Sequence, residues 1–482
     1  MSLHAQLSPE AIARLHAQQR NATISSIIIS ILVVCLIGIV LLWILLPPID
    51  NAAPDIVSYQ AGAEEKKDDA TREMKRVVDR KPSAPSSSMA KVIAANTASP
   101  TAIPVPDMDV PDPSMDFGDS SDFGDGWAGS GSSFSGIPET MRERCSKADR
   151  LDRLEKNGGN EQCEEAVVKA LRWIKKTQNA DGSWGTKNQT AMTGFSVLAY
   201  LGHCETPNSE EFGDSITRAL IYLINIGMKK DGRIISSDLK HMHWVYEHGI
   251  ATYALAEAYT FCSKLGINIP NLDIVTKKAG DIIIQGQAES GGWMYRFAPS
   301  NSGDNSVGFW QIQALKACKH TGLWEKDAFK KVSKKALSWL ERVQGSNGAI
   351  GYRANPNQSP GLTGGGVLAF QMWGKSSSKP VRAGAKYILK NAAFDWSEES
   401  SNLYYHYYNA QAMINRGGSQ WDEYNKIFRD ELLKNQQPDG SWKRKKKLNH
   451  GSINQHMTTC LATFMLEVYY RFLPATGAKG GH

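Results

Sequence analysis

From Cys163 onward the chain alternates between two hydrophobic patterns. Stretches at Cys163–Gln178, Asp214–Gly227, Asn271–Gln287, Asp327–Gln344, Pro380–Asn391 and Tyr424–Gln436 carry apolar residues at helical spacing, with Lys, Arg and Glu on the opposite side. That is the pattern of a helix with one face in water. Between them lie stretches that are apolar or aromatic all round: Ala191–His203, His243–Phe261, Asn305–Thr321, Gly361–Gly374, Leu403–Arg416 and Ile453–Arg471. A helix with no polar face belongs inside. Strand-like alternation is absent. The pattern predicts an all-α protein, an α6/α6 toroid of six helical hairpins over residues 142–473, with the inner ring around a central cavity.

A turn recurs about every 50 residues between outer and inner stretches. Gln178-Asn-Ala-Asp-Gly-Ser-Trp184 is matched by Gln436-Gln-Pro-Asp-Gly-Ser-Trp442, with Gln287-Ala-Glu-Ser-Gly-Gly-Trp293 and the eroded Gln344-Gly-Ser-Asn-Gly-Ala-Ile350 between them. Lys229–Arg233 and Asn391–Trp396 are degenerate copies. Each predicts a helix ending near Gln, a tight turn through Gly, and an indole packing back to set the exit angle.

These repeats resemble the terpene cyclase and protein prenyltransferase superfamily, whose α/α barrels carry the QW repeat, with a consensus near Q-x-x-D-G-S-W. The resemblance covers about 142–473 and extends to Gly291-Gly-Trp-Met-Tyr-Arg296 followed by Gly303-Asp-Asn-Ser-Val307. A squalene-hopene cyclase has two such barrels; this chain has room for one. The resemblance implies either cyclisation, begun by protonating an alkene from a D-x-D-D-T acid, or zinc-assisted thiol prenylation. In the corresponding setting stands Ser302-Gly303-Asp304-Asn305-Ser306, which keeps one carboxylate of three. Asp304 is the candidate acid and Asn305 its neighbour, or either simply caps the following helix. The zinc pattern Asp-x-Cys is absent; His456, in Ile453–Cys460, is the candidate left from that site. No metal and no cofactor are expected.

The densest polar cluster is His241-Met-His243-Trp-Val-Tyr246-Glu247-His248. Residues 244 and 248 share one helical face and 243 and 247 the adjacent one, so Glu247 with His248 reads as an acid/base pair, or His248 with His243 as a metal site although HxH alone does not assign zinc, with Tyr246 as a neighbouring candidate contact; the plain alternative is that these groups satisfy a helix end. Two further inner-helix starts carry candidate ligand contacts. Tyr404, His406 and Tyr408 offer aromatic faces, and Thr363 precedes glycines that leave space for a ligand. Packing is the plain alternative for both.

Ahead of this region, Thr23–Leu46 is 24 residues without a charge, followed by Pro47-Pro48. At 1.5 Å rise it spans about 36 Å, enough to cross a bilayer. Arg14 and Arg20 precede it and the first basic residue after it is Lys66, so the expected topology is single-pass, with residues 1–22 cytoplasmic and the C-terminal domain outside the inner membrane. Residues 47–141 are rich in Ser, Pro, Asp and Gly and read as a disordered linker; 474–482 read as a flexible tail.

The chain of 482 residues carries 55 Lys+Arg against 49 Asp+Glu. That modest surplus is spread along its length and does not support nucleic-acid binding. Six of the seven cysteines lie beyond the apolar run, and Cys145 with Cys163 is the expected disulfide. Three functions fit: a toroid that binds a lipid-like or peptide ligand without an intact cyclase acid, an enzyme acting through Asp304 or through Glu247 and His248, or a non-catalytic interaction module. They differ in what the centre of the ring holds.

Overall fold

Four of the six charged, amphipathic stretches stop at a Gln, and in the structure that Gln binds one hairpin to the next. The computed structural model describes residues 144–355, 360–398, 401–444 and 454–471, all in the second of the chain's two units, Pro104–His482. The expected anchor Thr23–Leu46, the linker 47–141 and the tail 474–482 lie outside the described residues. Among the described residues no helix is long and apolar enough to cross a membrane.

The described residues form thirteen α-helices and no strand. The outer set is α2 (Glu161–Lys176), α4 (Gly213–Lys229), α6 (Leu272–Gln285), α8 (Lys330–Val343), α10 (Lys379–Asn391) and α12 (Gly418–Asn435). The inner set is α3 (Gln189–Gly202), α5 (Trp244–Lys264), α7 (Asn305–Thr321), α9 (Thr363–Met372), α11 (Leu403–Arg416) and α13 (Gln455–Glu467). Each inner helix packs on the next, and α13 returns to α3, so the ring closes. A short helix, α1 (Lys147–Lys156), precedes the ring and was not expected from the sequence. It carries a buried Leu154 but is otherwise strongly polar.

The recurring turn has one geometry. The side-chain amide of Gln178 donates to Gly182 O at 2.9 Å and to Ser215 O of α4 at 2.8 Å. Gln287 spans Gly291 O and Val332 O of α8 at 2.9 Å each, and Gln344 spans Gly348 O and Pro380 O of α10 at 3.0 Å each. The indoles of Trp184, Trp293 and Trp442 donate to Ile174 O, Ile283 O and Leu432 O, carbonyls near the ends of the preceding outer helices. These bonds satisfy acceptors that a helix end leaves open. The glycine is required twice over: Gly440 has φ +92°, and a Cβ there would lie 2.2 Å from Lys169 O of α2.

The last residue of the turn docks on an inner helix through its backbone N–H. Trp184 donates to Thr193 Oγ1, Trp442 to Thr459 Oγ1 and Ile350 to Thr363 Oγ1. The candidate ligand residue Thr363 therefore holds the same structural place as Thr193 and Thr459. The glycines after it admit neighbours instead of leaving space: a Cβ would meet Asn409 Oδ1 at Gly364, the Phe309 ring at Gly365 and the Ile350 side chain at Gly366.

The ring's centre is filled across its width. Trp310 of α7 stacks on Tyr407 of α11 with centroids 5.6 Å apart and an interplanar angle of 15°, and takes Phe195 of α3 edge-on at 5.4 Å. Those three helices alternate in the ring, so one indole joins side chains from three sides of it. Phe464 of α13 closes on Phe195 at 6.1 Å and Tyr407 at 5.5 Å. The central cavity expected from the uniformly apolar helices is taken up here by their own aromatic residues. Large side chains on converging helices pack to crystal-like density when they reach one another.

At the C-terminal ends of the inner helices the filling becomes ionic. Arg144 and Arg471, both buried, lie 2.8 Å and 3.5 Å from Glu257, and Arg471 lies 3.1 Å from Glu467. Burial pushes the Glu467 carboxyl up to about 8. Nearby, Arg150 meets Glu164 at 2.7 Å and Glu164 meets His203 at 3.1 Å.

The disulfide corrects the sequence expectation. Cys145 joins Cys204, with Cα atoms 4.9 Å apart, while Cys163 is a free, buried thiol whose Sγ lies 3.3 Å from Asn160 Oδ1. Cys163 faces the core from the first turn of α2, whereas Cys204 follows the end of α3 in a left-handed conformation (φ +63°) beside the incoming chain.

Candidate functional site

The N-terminal ends of the inner helices gather five of the sequence-predicted residues at one mouth of the ring. Asp304 precedes α7 as its N-cap: Oδ1 accepts from Ser306 N at 3.1 Å and from the Ser306 hydroxyl at 2.5 Å. The carboxylate is buried, and its other oxygen lies 3.8 Å from Arg353 Nε. Asn305 is fully engaged, donating to Gly351 O at 2.8 Å and accepting from the Trp339 indole at 2.8 Å. Capping, the plain alternative for this pair, is what the geometry displays.

Ser306 draws two tyrosines together. The Tyr246 hydroxyl lies 2.7 Å from Ser306 Oγ, and the Tyr404 hydroxyl donates to Ser306 O at 2.9 Å. Burial pushes both phenols well above their usual range. Tyr295 and Tyr352 complete the aromatic lip. Tyr295 OH is 3.4 Å from Tyr246 OH, and Tyr352 bonds to Tyr405. The exposed His243 sits edge-on to Tyr295 at 5.2 Å and to His241 at 5.3 Å. Partial burial and the neighbouring His241 lower its pKa.

Glu247 and His248 do not face each other in the manner of an acid/base pair. Glu247 Oε2 accepts from the Thr190 and Ser236 hydroxyls and from Ser236 N, and Oε1 accepts from Ser237 N. Four donors on one buried carboxylate fix the loop that leads into α5. His248 Nδ1 accepts from Ile234 N at 3.2 Å and Nε2 donates to Ala279 O at 3.1 Å, tying α5 to α6. Its pKa is lowered by burial to about 4.

His406 and His456 are buried in the same way, each lowered by burial to about 4. His406 Nδ1 meets Tyr424 OH of α12 at 2.8 Å. His456 Nε2 lies 2.9 Å from Ser196 Oγ, and its ring stacks on Trp184 at 6.0 Å. Tyr408 is buried edge-on to Phe309 at 5.5 Å in the central packing. The structure thus brings Asp304, Asn305, Tyr246, His243 and Tyr404 to one mouth, and sends Glu247, His248, His406, Tyr408 and His456 into packing. Among the described residues no group of three or more His, Cys, Asp or Glu side chains is placed to hold a metal ion.

Tyr295, Tyr352 and Arg353 escaped the sequence reading, although a signal existed. Tyr295 and Tyr352 each stand two residues after the last residue of a turn, Trp293 and Ile350, where the chain rises to the mouth before the next inner helix.

No family model matches the chain and no curated protein matches it. Solved structures are similar at low identity. The GH76A alpha-1,6-mannanase from Salegentibacter sp. HEL1_6 is 11% identical with a TM-score of 0.48, over 64% of this chain and 98% of that one. A variant of the type II terpene cyclase MstE from Scytonema, bound to its product merosterolic acid A, is 12% identical with a TM-score of 0.41, over 64% and 97%. A protein from Actinoplanes is 14% identical with a TM-score of 0.38, over 64% and 99%. The assignment of this chain as an all-helical ring rests on its own helix contacts.

Proposed function

We propose that this toroid is a non-cyclising interaction module, presented outside the cytoplasmic membrane on the Thr23–Leu46 anchor and the linker 47–141. The observation that carries the reading is the packing of Trp310 against Phe195 and Tyr407, which joins α3, α7 and α11 across the centre of the inner ring. Asp304 adds to it, because its oxygens are engaged by Ser306 and Arg353 at the head of α7. The mouth then serves as the contact face. Its tyrosines, Arg353 and the exposed Met242 are residue types favoured at polypeptide interfaces, so a peptide or protein segment fits it better than an isoprenoid.

The test is direct. Purified full-length protein is incubated with linear polyprenyl substrates and extracted for mass spectrometry, in parallel with the Asp304→Asn variant. No cyclised product and no stoichiometric co-purifying isoprenoid are expected. A cyclised product that disappears in D304N would overturn the reading.

A further inference from the structure

We propose that the basic outer face formed by α8 and α10 is the docking surface for this chain's own acidic segment, Asp107–Asp125. The inference concerns the outside of the ring and stands apart from the reading of its mouth. The basic surplus, read along the sequence as spread through the chain, is concentrated in the fold. Glu325–Asn391 holds twelve Lys and Arg against three Asp and Glu, a net +9 where the whole chain is +6. α10 presents Lys379, Arg382, Lys386 and Lys390 to solvent as one stripe along its length, and it contains no Asp or Glu. The run Lys330–Lys335 that opens α8 adds four exposed lysines. The two helices are neighbours in the outer layer, joined by Gln344 through the Pro380 carbonyl at 3.0 Å.

These charges are uncompensated within the ring. The other outer helices set a carboxylate about one turn from a base: Glu165 with Lys169 on α2, Asp214 with Arg218 on α4, Asp281 with Lys277 on α6 and Glu431 with Lys434 on α12. Among the described residues no carboxylate lies within ion-pair distance of the α10 stripe or of the four lysines that open α8. Like charges one turn apart repel, and bases in a first turn oppose the helix dipole. Neither α8 nor α10 has an acid in its first turn. An anionic strand lying across both helices turns that repulsion into attraction.

The chain supplies such a strand itself. Between Lys91 and Arg142 it has no Lys, Arg or His, and seven aspartates stand from Asp107 to Asp125. That segment lies outside the described residues; its composition and its distance along the chain select it. Asp125 is 19 residues from Arg144, a reach of at most about 65 Å. Helices packed about 8–10 Å apart give a two-layered ring about 50 Å across, so the reach covers it. Arg144 enters beside Glu257 at the C-terminal ends of the inner helices, the side on which the outer helices begin. The lysines at the heads of α8 and α10 therefore lie on the side where the tether arrives. A flexible tether of this length holds the segment at about millimolar effective concentration, which a free acidic protein or polyanion has to exceed.

The experiment uses the full chain in detergent. Carbodiimide joins carboxylates to amines in contact, and peptide mass spectrometry reads the pairs. Cross-links from Asp107–Asp125 to the lysines of α8 and α10 are expected at low salt. They should form within single chains in a mixture of nitrogen-15 and ordinary protein, and vanish in about 1 M NaCl, where the screening length is about 3 Å. A synthetic peptide of residues 105–127 gives the second measurement. It should bind a chain with Asp→Asn at all seven positions about tenfold or more tightly than the parent, whose own segment competes. That binding should be lost when Lys379→Gln, Arg382→Gln, Lys386→Gln and Lys390→Gln are added to the neutralised chain. A single-stranded DNA oligonucleotide is offered as the rival polyanion. Cross-links that join different molecules, peptide binding of equal strength in parent and neutralised chain, or an oligonucleotide held as tightly by the parent as by the neutralised chain each overturn the proposal.

Discussion

Gln436 Nε2 donates to the carbonyl of Ala166 at 2.8 Å, which fastens the last turn of the ring to its first outer helix across 270 residues of sequence. The same amide holds Gly440 O at 3.0 Å, so one side chain shapes the turn and closes the circle. Gln436→Ala removes both bonds and leaves two carbonyls short of a donor. The expected loss is about 1–3 kcal/mol by urea denaturation. A loss below about 0.5 kcal/mol, the scale of an ordinary surface substitution, would show that closure rests on the helix contacts alone.

Trp310 is the side chain whose removal should change the interior most. Trp310→Ala leaves Phe195, Tyr407 and Tyr404 without their common neighbour, and large-to-small substitution of a buried Trp costs about 3–5 kcal/mol. If the variant remains folded, its centre becomes a cavity lined by aromatics, and indole should raise the variant's melting temperature but not that of the parent. Equal stability of variant and parent would remove the claim that the centre is packed.

The Cys145–Cys204 bond should matter and the other cysteines should not matter in the same way. Cys145→Ser, Cys204→Ser and treatment of the parent with reductant should each lower stability by about 2–4 kcal/mol. The three effects should not add, because they delete one bond. Melting curves with and without reductant check this. Reductant sensitivity that survives in C145S would point to a different pairing.

Acid should destabilise the ring through its buried histidines. His248, His406 and His456 fall from an ordinary 6.5 to about 4 in the fold. Between those values the unfolded chain binds protons that the folded chain refuses, so stability is full above about 6.5 and declines as pH falls toward 4. Glu467 acts in the opposite sense. Raised from 4.5 to about 8, it holds its proton in the fold, and stability declines as pH rises across that interval. Melting temperature against pH should therefore fall away on both sides of a maximum. His248→Phe should make the acid limb shallower, and an unchanged acid slope would exclude that histidine as a contributor.

The sequence by itself determined the ring. Alternating amphipathic and uniformly apolar helices, punctuated by Gln, Gly and Trp, fix which helices face water and where each hairpin turns, because these are properties of local spacing and backbone freedom. Even Asp304 as a helix cap was legible, since a cap acts within three residues of itself. Tertiary structure decided what the ring encloses. No spacing along the chain states that Phe195, Trp310 and Tyr407, on three separate helices, meet at one place, or that the donors around Glu247 come from Thr190 and Ser236. The partner of Cys145 was misassigned to Cys163 for the same reason: a disulfide follows the distance between Cα atoms in the folded ring, which brings Cys204 beside the incoming chain while Cys163 turns toward the core.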